Sequence, residues 1–445
     1  MLSKKYLFNL ACFGLLVASS AYSDSSKNCL PYLPGAPDQT SMLAPLKTSS
    51  QTAKTYILPA TPATSQWGVF DSSHPPVLTI HSGDTIVFET MAASDNMVVP
   101  GGANIEQIIK MKDDAPNRGP HTLTGPIYIA GAQPGDVLKI HLNKIVPRPY
   151  ASNDIVPGKG LFPEEFPTGV VKYFYLDLKK MQMPFSPGIT VPLAPFPGVV
   201  GVARATPGKY NSIQPGPYGG NMDLRVLTQG TTLYLPVFMN GGLLWTGDSH
   251  AGQGNGEIDL TAIETAFAEF SVTIDLIKHK PLAWPRVETN TDWVAVGYDK
   301  NLNTALDIAK SETIKLIMEE RHVSQAQAQT IMYDTWNCPI SEVVNGVLGV
   351  YCMIPKDINT KAFALPTADT ATEFVTTGKN ADVEIAMKTA SMAMIKKLMA
   401  EKKMDKVSAY MLASFTLDCR IAKFEAGDKS VTCTMAKNLW TPQKA

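Results

Sequence analysis

The sequence predicts an α+β fold, in which a β-rich core, sandwich- or barrel-like, is followed by a duplicated α-α-β-β unit. Three observations predict it. From Pro76 to about Arg286, short runs dense in Val, Ile, Leu, Phe and Tyr alternate with Gly, Pro, Asn and Asp turns. Further on, Leu302 to Arg321 and Val383 to Lys403 carry apolar residues at helical spacing. Those two stretches also belong to an ungapped internal repeat.

The strands come first. Val77 to Ile80, the turn His81-Ser82-Gly83-Asp84 and Thr85 to Thr90 read as strand, turn, strand. Ile127 to Ile129 leads through Gly131 to Asp136 into Val137 to Leu142 in the same way. Leu224 to Leu227, Thr232 to Met239 and Phe270 to Ile277 are further expected strands. Residues 24–76, rich in Ser, Thr, Pro and Gln, read as an irregular arm.

The repeat aligns Asp292-Trp293-Val294 with Glu373-Phe374-Val375, and Gly297 with Gly378. Ala305, Ala309 and Ile314 align with Ala386, Ala390 and Ile395, and Glu320 with Glu401. Cys338 and Cys352 align with Cys419 and Cys433. Every pair stands 81 positions apart (378 against 297, for instance), which implies two copies of one supersecondary unit. The expected organisation is therefore a signal peptide at 1–23, a β-rich region bearing the site at 24–285, and an α+β region at 286–445. The copies occupy about 291–354 and 372–435.

The first 23 residues carry a targeting pattern. Lys4 and Lys5 precede an apolar run from Tyr6 to Val17, and Ala21-Tyr22-Ser23 fits a small-x-small cleavage site. The run is too short to span a bilayer, so a periplasmic or secreted protein is expected. Five cysteines then remain. Cys338 and Cys352 flank the turn pair Asn345-Gly346, and Cys419 and Cys433 flank Ala426-Gly427-Asp428. Each pair can staple its own hairpin in an oxidising compartment, and Cys29 is left over.

Of the 445 residues 44% are apolar and 18% charged, enough to bury a sizeable core. The net charge of −1 argues against a nucleic-acid partner, since such domains carry a basic surplus. No Gly-x-Ser-x-Gly elbow or phosphate-binding glycine loop is present.

The densest polar cluster is Gly219-Gly220-Asn221-Met222-Asp223 together with Thr246 to Glu257. Its glycines read as tight turns and points of close backbone approach to a ligand rather than as core packing. On an extended chain Asp248 and His250 point to one side, and a carboxylate beside an imidazole is a natural pair for a divalent ion, zinc above all. A third ligand has to come from another loop, either Asp223 or His121. Glu257 is then the general base or proton shuttle, with Glu89 next in line. A backbone N–H of the Gly-rich turn is a candidate oxyanion donor. His81 can face either the site or solvent, and His74, His141, His279 and His322 read as ordinary strand or surface residues.

At these residues the chain resembles the acetamidase/formamidase family. The matching segments are HSGDTIVFET (81–90), GPHTLTGPIYIAGAQPGDVLKIHL (119–142), APFPGVVGVA (194–203) and GGNMDLRVLTQGTTLYLPVFMNGGLLWTGDSHAGQGNGEID (219–259). The resemblance spans about residues 75 to 440. It implies hydrolysis of short aliphatic amides to acid and ammonia, a β-rich core with added α/β structure, and homo-oligomers. It also fits the missing nucleophile motif. A signal peptide and paired cysteines depart from the family's usual pattern. The second reading is an exported small-molecule binding protein on the same scaffold.

Overall fold

The computed structural model describes residues 52–360, 363–425, 427 and 429–441. The expected signal peptide and Cys29 lie outside the described residues.

Beside two two-stranded sheets, two large ones dominate the β-rich part. One has eight strands, in spatial order Thr55–Leu58, Asp84–Phe88, Phe267–Ile277, Val137–Pro147, Thr232–Pro236, Arg286–Glu288, Asp292–Asp299 and Leu348–Pro355. The other has ten and is built around Gly242–His250, which pairs with Phe196–Val202 on one side and Thr122–Ile129 on the other. Ile86, Leu138 and Phe270 from the first sheet share one core with Ile127, Phe196 and Leu244 from the second. Face-to-face burial of this kind makes a sandwich. Asp84–Phe88 alternates buried and part-buried positions, as a strand with one covered face does. Gly242–His250 is buried at every position, so no alternation marks it in the sequence.

Two expectations of local structure fail. Residues 52–76 hold strands Thr55–Leu58, Ser65–Trp67 and Val69–Asp71 instead of an irregular arm. Thr55–Leu58 pairs in parallel with Asp84–Phe88, a non-local contact with no local signal. Leu224 to Leu227 is a turn, closed by a hydrogen bond from the Leu227 N–H to the Leu224 carbonyl. Its leucines are buried without belonging to a strand. A helix, Ile105–Asp114, interrupts the β-rich region, capped by Asn104 in a reciprocal bond with Gln107.

The two repeat copies match element for element. The first is strand Asp292–Asp299, helices Leu302–Arg321 and Gln325–Asp334, then strands Cys338–Pro339 and Leu348–Pro355. The second is strand Glu373–Asn380, helices Val383–Lys402 and Lys406–Thr416, then strands Asp418–Lys423 and Lys429–Ala436. The expected α-α-β-β unit thus gains a leading strand. Asn301 and Asp382, 81 apart, cap the long helices, and His322 and Lys403 end them in the left-handed conformation. Gly297 and Gly378 let each helix settle on its leading strand. A Cβ on Gly297 would run into the Ala305 carbonyl and lie 2.5 Å from the Ala309 nitrogen, and on Gly378 into the Ala386 carbonyl and 2.8 Å from the Ala390 nitrogen.

The copies join different sheets. The first extends the eight-stranded sheet, whereas the second forms a four-stranded sheet with Cys338–Pro339. They meet through Cys338 opposite Ile421 and Pro339 opposite Arg420, and the Ile340 N–H bonds the Cys419 carbonyl. Both expected disulfides are present. Cys419–Cys433 joins direct cross-strand partners, and Cys338–Cys352 ties the four-stranded sheet to the eight-stranded one.

Gly297→Ala and Gly378→Ala should each destabilise the protein by about 1–3 kcal/mol or more in urea unfolding, because backbone atoms cannot move aside. An unchanged midpoint for either would contradict this helix seating.

Candidate functional site

Strand Gly242–His250 ends on the cluster. Asp248 has φ +50°, so the chain is kinked there and not extended as the sequence reading assumed. The pair still meets: Asp248 Oδ2 lies 3.2 Å from His250 Nε2. The kink is accommodated by the neighbouring strand, where Pro197 pairs with Ser249 and Val199 with Gly247, leaving Gly198 opposite Asp248. A Cβ on Gly198 would run into Asp248 Oδ2 and lie 2.7 Å from His250 Cε1 and 2.8 Å from Asp223 Oδ1. Glycine is therefore required where three polar side chains converge.

Asp223, with φ +48°, follows strand Gly219–Asn221, and its N–H reaches the Gly198 carbonyl at 3.3 Å. Its Oδ1 lies 3.8 Å from His250 Nδ1. His121 directly precedes strand Thr122–Ile129, its Nδ1 is 2.9 Å from Ser212 Oγ, and its Nε2 is 3.6 Å from Asp248 Oδ1. Glu257 also has φ +49°, an uncommon conformation for that side chain. Left-handed backbone at Asp223, Asp248 and Glu257 together marks a site whose geometry the surrounding fold enforces.

The sequence reading missed four residues here. Glu264 lies across the sheet from His250, with Oε1 3.4 Å from Nε2, but its strand is two residues long and carries no motif. Asn345 was read only as half of a hairpin turn. Its Nδ2 donates to Asp223 Oδ2 at 2.9 Å and to Glu257 Oε2 at 3.4 Å. Glu342, fully buried, holds that turn by accepting the Val344 and Asn345 N–H groups. The fourth is Gly198. Of the weaker candidates, Glu89 faces Arg148 at 3.7 Å with a partly exposed side chain, and His81 is half exposed beside Asp84.

The Gly-rich turn behaves differently from its expected role. Gly254 is packed by core: a Cβ there would lie 2.7 Å from the Ser414 carbonyl and 2.8 Å from the Leu417 nitrogen. The N–H groups of Gly254, Asn255, Gly256 and Glu257 all bond backbone carbonyls, so none is available to an oxyanion. The segment is clamped by both repeat copies. Gly256 bridges Glu342, Asn255 donates to Asp418 Oδ1 at 2.6 Å, and Tyr351 donates to Asn255 Oδ1 at 2.9 Å.

Burial governs the electrostatics. It pushes Glu257 and Asp223 well above the usual carboxylate range, reinforced by each other's neighbouring carboxylates. It carries Glu264 and Glu342 up to about 8. Burial disfavours the His250 cation, but Glu264 and Asp248 outweigh it and raise the imidazole to about 10. Burial lowers His121 against the pull of Asp248. Burial acts upward on Asp248 too, yet His121 and His250 hold it below its ordinary value. Asp223, Asp248, Glu257 and Glu264 thus surround His250, with Glu342 near enough to repel Asp223 and Glu257.

This donor set fits a divalent cation. One ligand atom each of Asp223, Asp248 and His250 lie within 4.8 Å of one another, as do those of His250, Glu257 and Glu264. Asp223 Oδ1 and both His250 ring nitrogens are buried with no hydrogen-bond partner, costly polar atoms of which one ion could satisfy the carboxylate oxygen and one ring nitrogen. Imidazole and carboxylate donors suit zinc among other divalent ions. Asp248, Glu257 and Glu264 also line a cavity of about 520 Å³, together with His121, Asn221 and Asn345.

Comparison with known proteins bears on this geometry. The model of the acetamidase/formamidase family matches residues 64–212 and 204–425. The acetamidase of Mycolicibacterium smegmatis is 24% identical over 264 residues, 46% of this chain and 64% of that protein. The chain therefore spans a little under two thirds of that relative. Among solved structures, an acetamidase from Yersinia enterocolitica superposes with a TM-score of 0.63 at 28% identity, covering 70% of this chain and 94% of the other. An acetamidase from Bacillus halodurans gives 0.61 at 27%, covering 67% and 97%.

Glu342 provides a pH test. Its folded pKa is raised, so the folded state holds a proton that the unfolded state has lost. Its stabilising contribution is complete below about 4.5 and is lost as pH rises towards about 8. Urea unfolding of Glu342→Gln should accordingly show a shallower loss of stability between pH 5 and 8 than the parent. Parallel pH profiles would contradict the assignment.

Proposed function

The chain belongs to the acetamidase/formamidase family, and on that premise we propose that it is an exported amidase that hydrolyses a carboxylic amide to the acid and ammonia. The observation that carries this reading is the buried Asp223, Asp248 and His250 group, with unpartnered donor atoms, beside a cavity that Asp248 and Glu257 line. Asp223, Asp248 and His250 are the residues that would hold a divalent ion, zinc by donor type, with His121 beside Asp248. Bound there, such an ion would polarise the amide carbonyl and acidify a water molecule.

The remaining chemistry falls to the protein. An amide nitrogen cannot leave unprotonated, so a group must take a proton from the attacking water and deliver it to nitrogen as the C–N bond breaks. Glu257 has this role. As a carboxylate it takes the water's proton; burial, which favours the protonated form, then suits the acid that delivers that proton to nitrogen, and Asn345 holds one of its oxygens. Ser212 fixes His121 through Nδ1, leaving Nε2 towards Asp248. Export is part of the reading and is supported by the two disulfides, which an oxidising compartment preserves. Homo-oligomers are proposed from the family likeness alone.

Purified protein should contain a bound divalent ion and release ammonia from an amide, and chelation should abolish that release. Glu257→Gln should keep fold and metal while kcat falls about a hundredfold or more. Nearly unchanged activity would overturn the role of Glu257. Loss of the metal in that variant would make Glu257 a ligand instead.

A further inference from the structure

The site cavity is large for the smallest amides. Its volume of about 520 Å³ falls within the range of about 300–1,000 Å³ typical of pockets for drug-sized molecules. Polar groups of the cluster line it, but so do Val98, Ile108, Ile213, Leu260 and Val344. Leu260 is held there at a backbone cost. Its φ of +103° is strained for a side-chain-bearing residue, and its N–H bonds the Glu257 carbonyl at 3.0 Å. One turn therefore presents both the proposed proton carrier and an apolar side chain to the same cavity. Ile108 comes from helix Ile105–Asp114 and Val98 from the loop before it, and both are buried in one small apolar cluster.

Charge does not select an anionic tail. The exposed lining residues Asp113, Arg118 and Lys159 are of mixed sign. Lys112 lies 3.8 Å from Asp154, which offsets its charge. We propose that the amide taken here carries an apolar group of several carbons, received by Leu260, Val98 and Ile108, so that formamide and acetamide are poor substrates. This rests on the amidase reading above.

The test is kcat/KM for formamide, acetamide, butyramide and hexanamide, with N-butylacetamide followed by amine release. Each added methylene should raise the value about fourfold, so hexanamide should exceed acetamide by about a hundredfold or more. A rise along the primary amides places the apolar group on the acyl side, and a gain for N-butylacetamide over acetamide places it on the amine side. Either supports the proposal. Ile108→Phe, which fills the wall, and Leu260→Ala, which removes part of it, should each lower the ratio of hexanamide to acetamide about tenfold. A ratio taken within one variant does not depend on how much of it folds. Formamide or acetamide turned over at least as well as every longer amide would overturn the proposal and leave the amidase reading standing. No product from any amide would overturn both.

Discussion

Four carboxyl groups gathered around His250, with Glu342 and His121 close by, are the constraint on which the rest of this structure depends. Each carboxylate taken from water costs several kcal/mol unless it is neutralised or paired. Asp248 has the His250 cation beside it, but Asp223, Glu257, Glu264 and Glu342 have burial working against their charged forms. Without a cation the cluster must hold protons in their place. Unsupported, such a cluster would let in water or spread apart. The fold prevents this by placing Asp223, Asp248 and Glu257 in left-handed backbone and by leaving no side chain at Gly198.

The repeat region explains how that geometry is maintained. The segment ending at Glu257 is wedged between the copies, touching Glu342 of the first and Ser414, Leu417 and Asp418 of the second. Ser414, Leu417 and the disulfide-bonded cysteines of both copies sit in or against the core that also holds Ile258 and Ala251. The copies are alike in scaffold and unlike in chemistry. Asn345 and Glu342 of the first correspond by the 81-residue offset to Ala426 and Lys423 of the second. One copy thus contributes polar groups to the site, while the other braces the segment that carries Glu257.

Much of this was legible in the sequence where the signal is local or periodic. The long helices and the constant offset came from apolar spacing, and the disulfides from cysteines placed at equivalent positions around turns. His121, Asp223, Asp248, His250 and Glu257 stand out because they crowd into short Gly-rich motifs, and the structure brings them near one another. Glu264, Asn345 and Glu342 do not stand out, because each enters the site through long-range pairing that no spacing encodes. The glycines misled in a similar way. Gly254 marks close approach of another part of the chain rather than of a ligand, while Gly198, the glycine facing the cluster, sits inside an unremarkable apolar strand. Strand Thr55–Leu58 escaped for the same reason, since its partner lies some thirty residues on.

The central claim is that the carboxyl-rich cluster is built to hold a divalent cation. It is tested most directly by thermal unfolding of metal-stripped protein, with and without added zinc, at pH 6 and pH 8. A cation that replaces protons binds more tightly as pH rises, and ligand bound to the folded state alone raises the melting temperature by mass action. The account predicts a rise of several degrees with zinc, larger at pH 8 than at pH 6 and absent in Asp248→Asn. A melting temperature unmoved by zinc, manganese or cobalt at both pH values would contradict it.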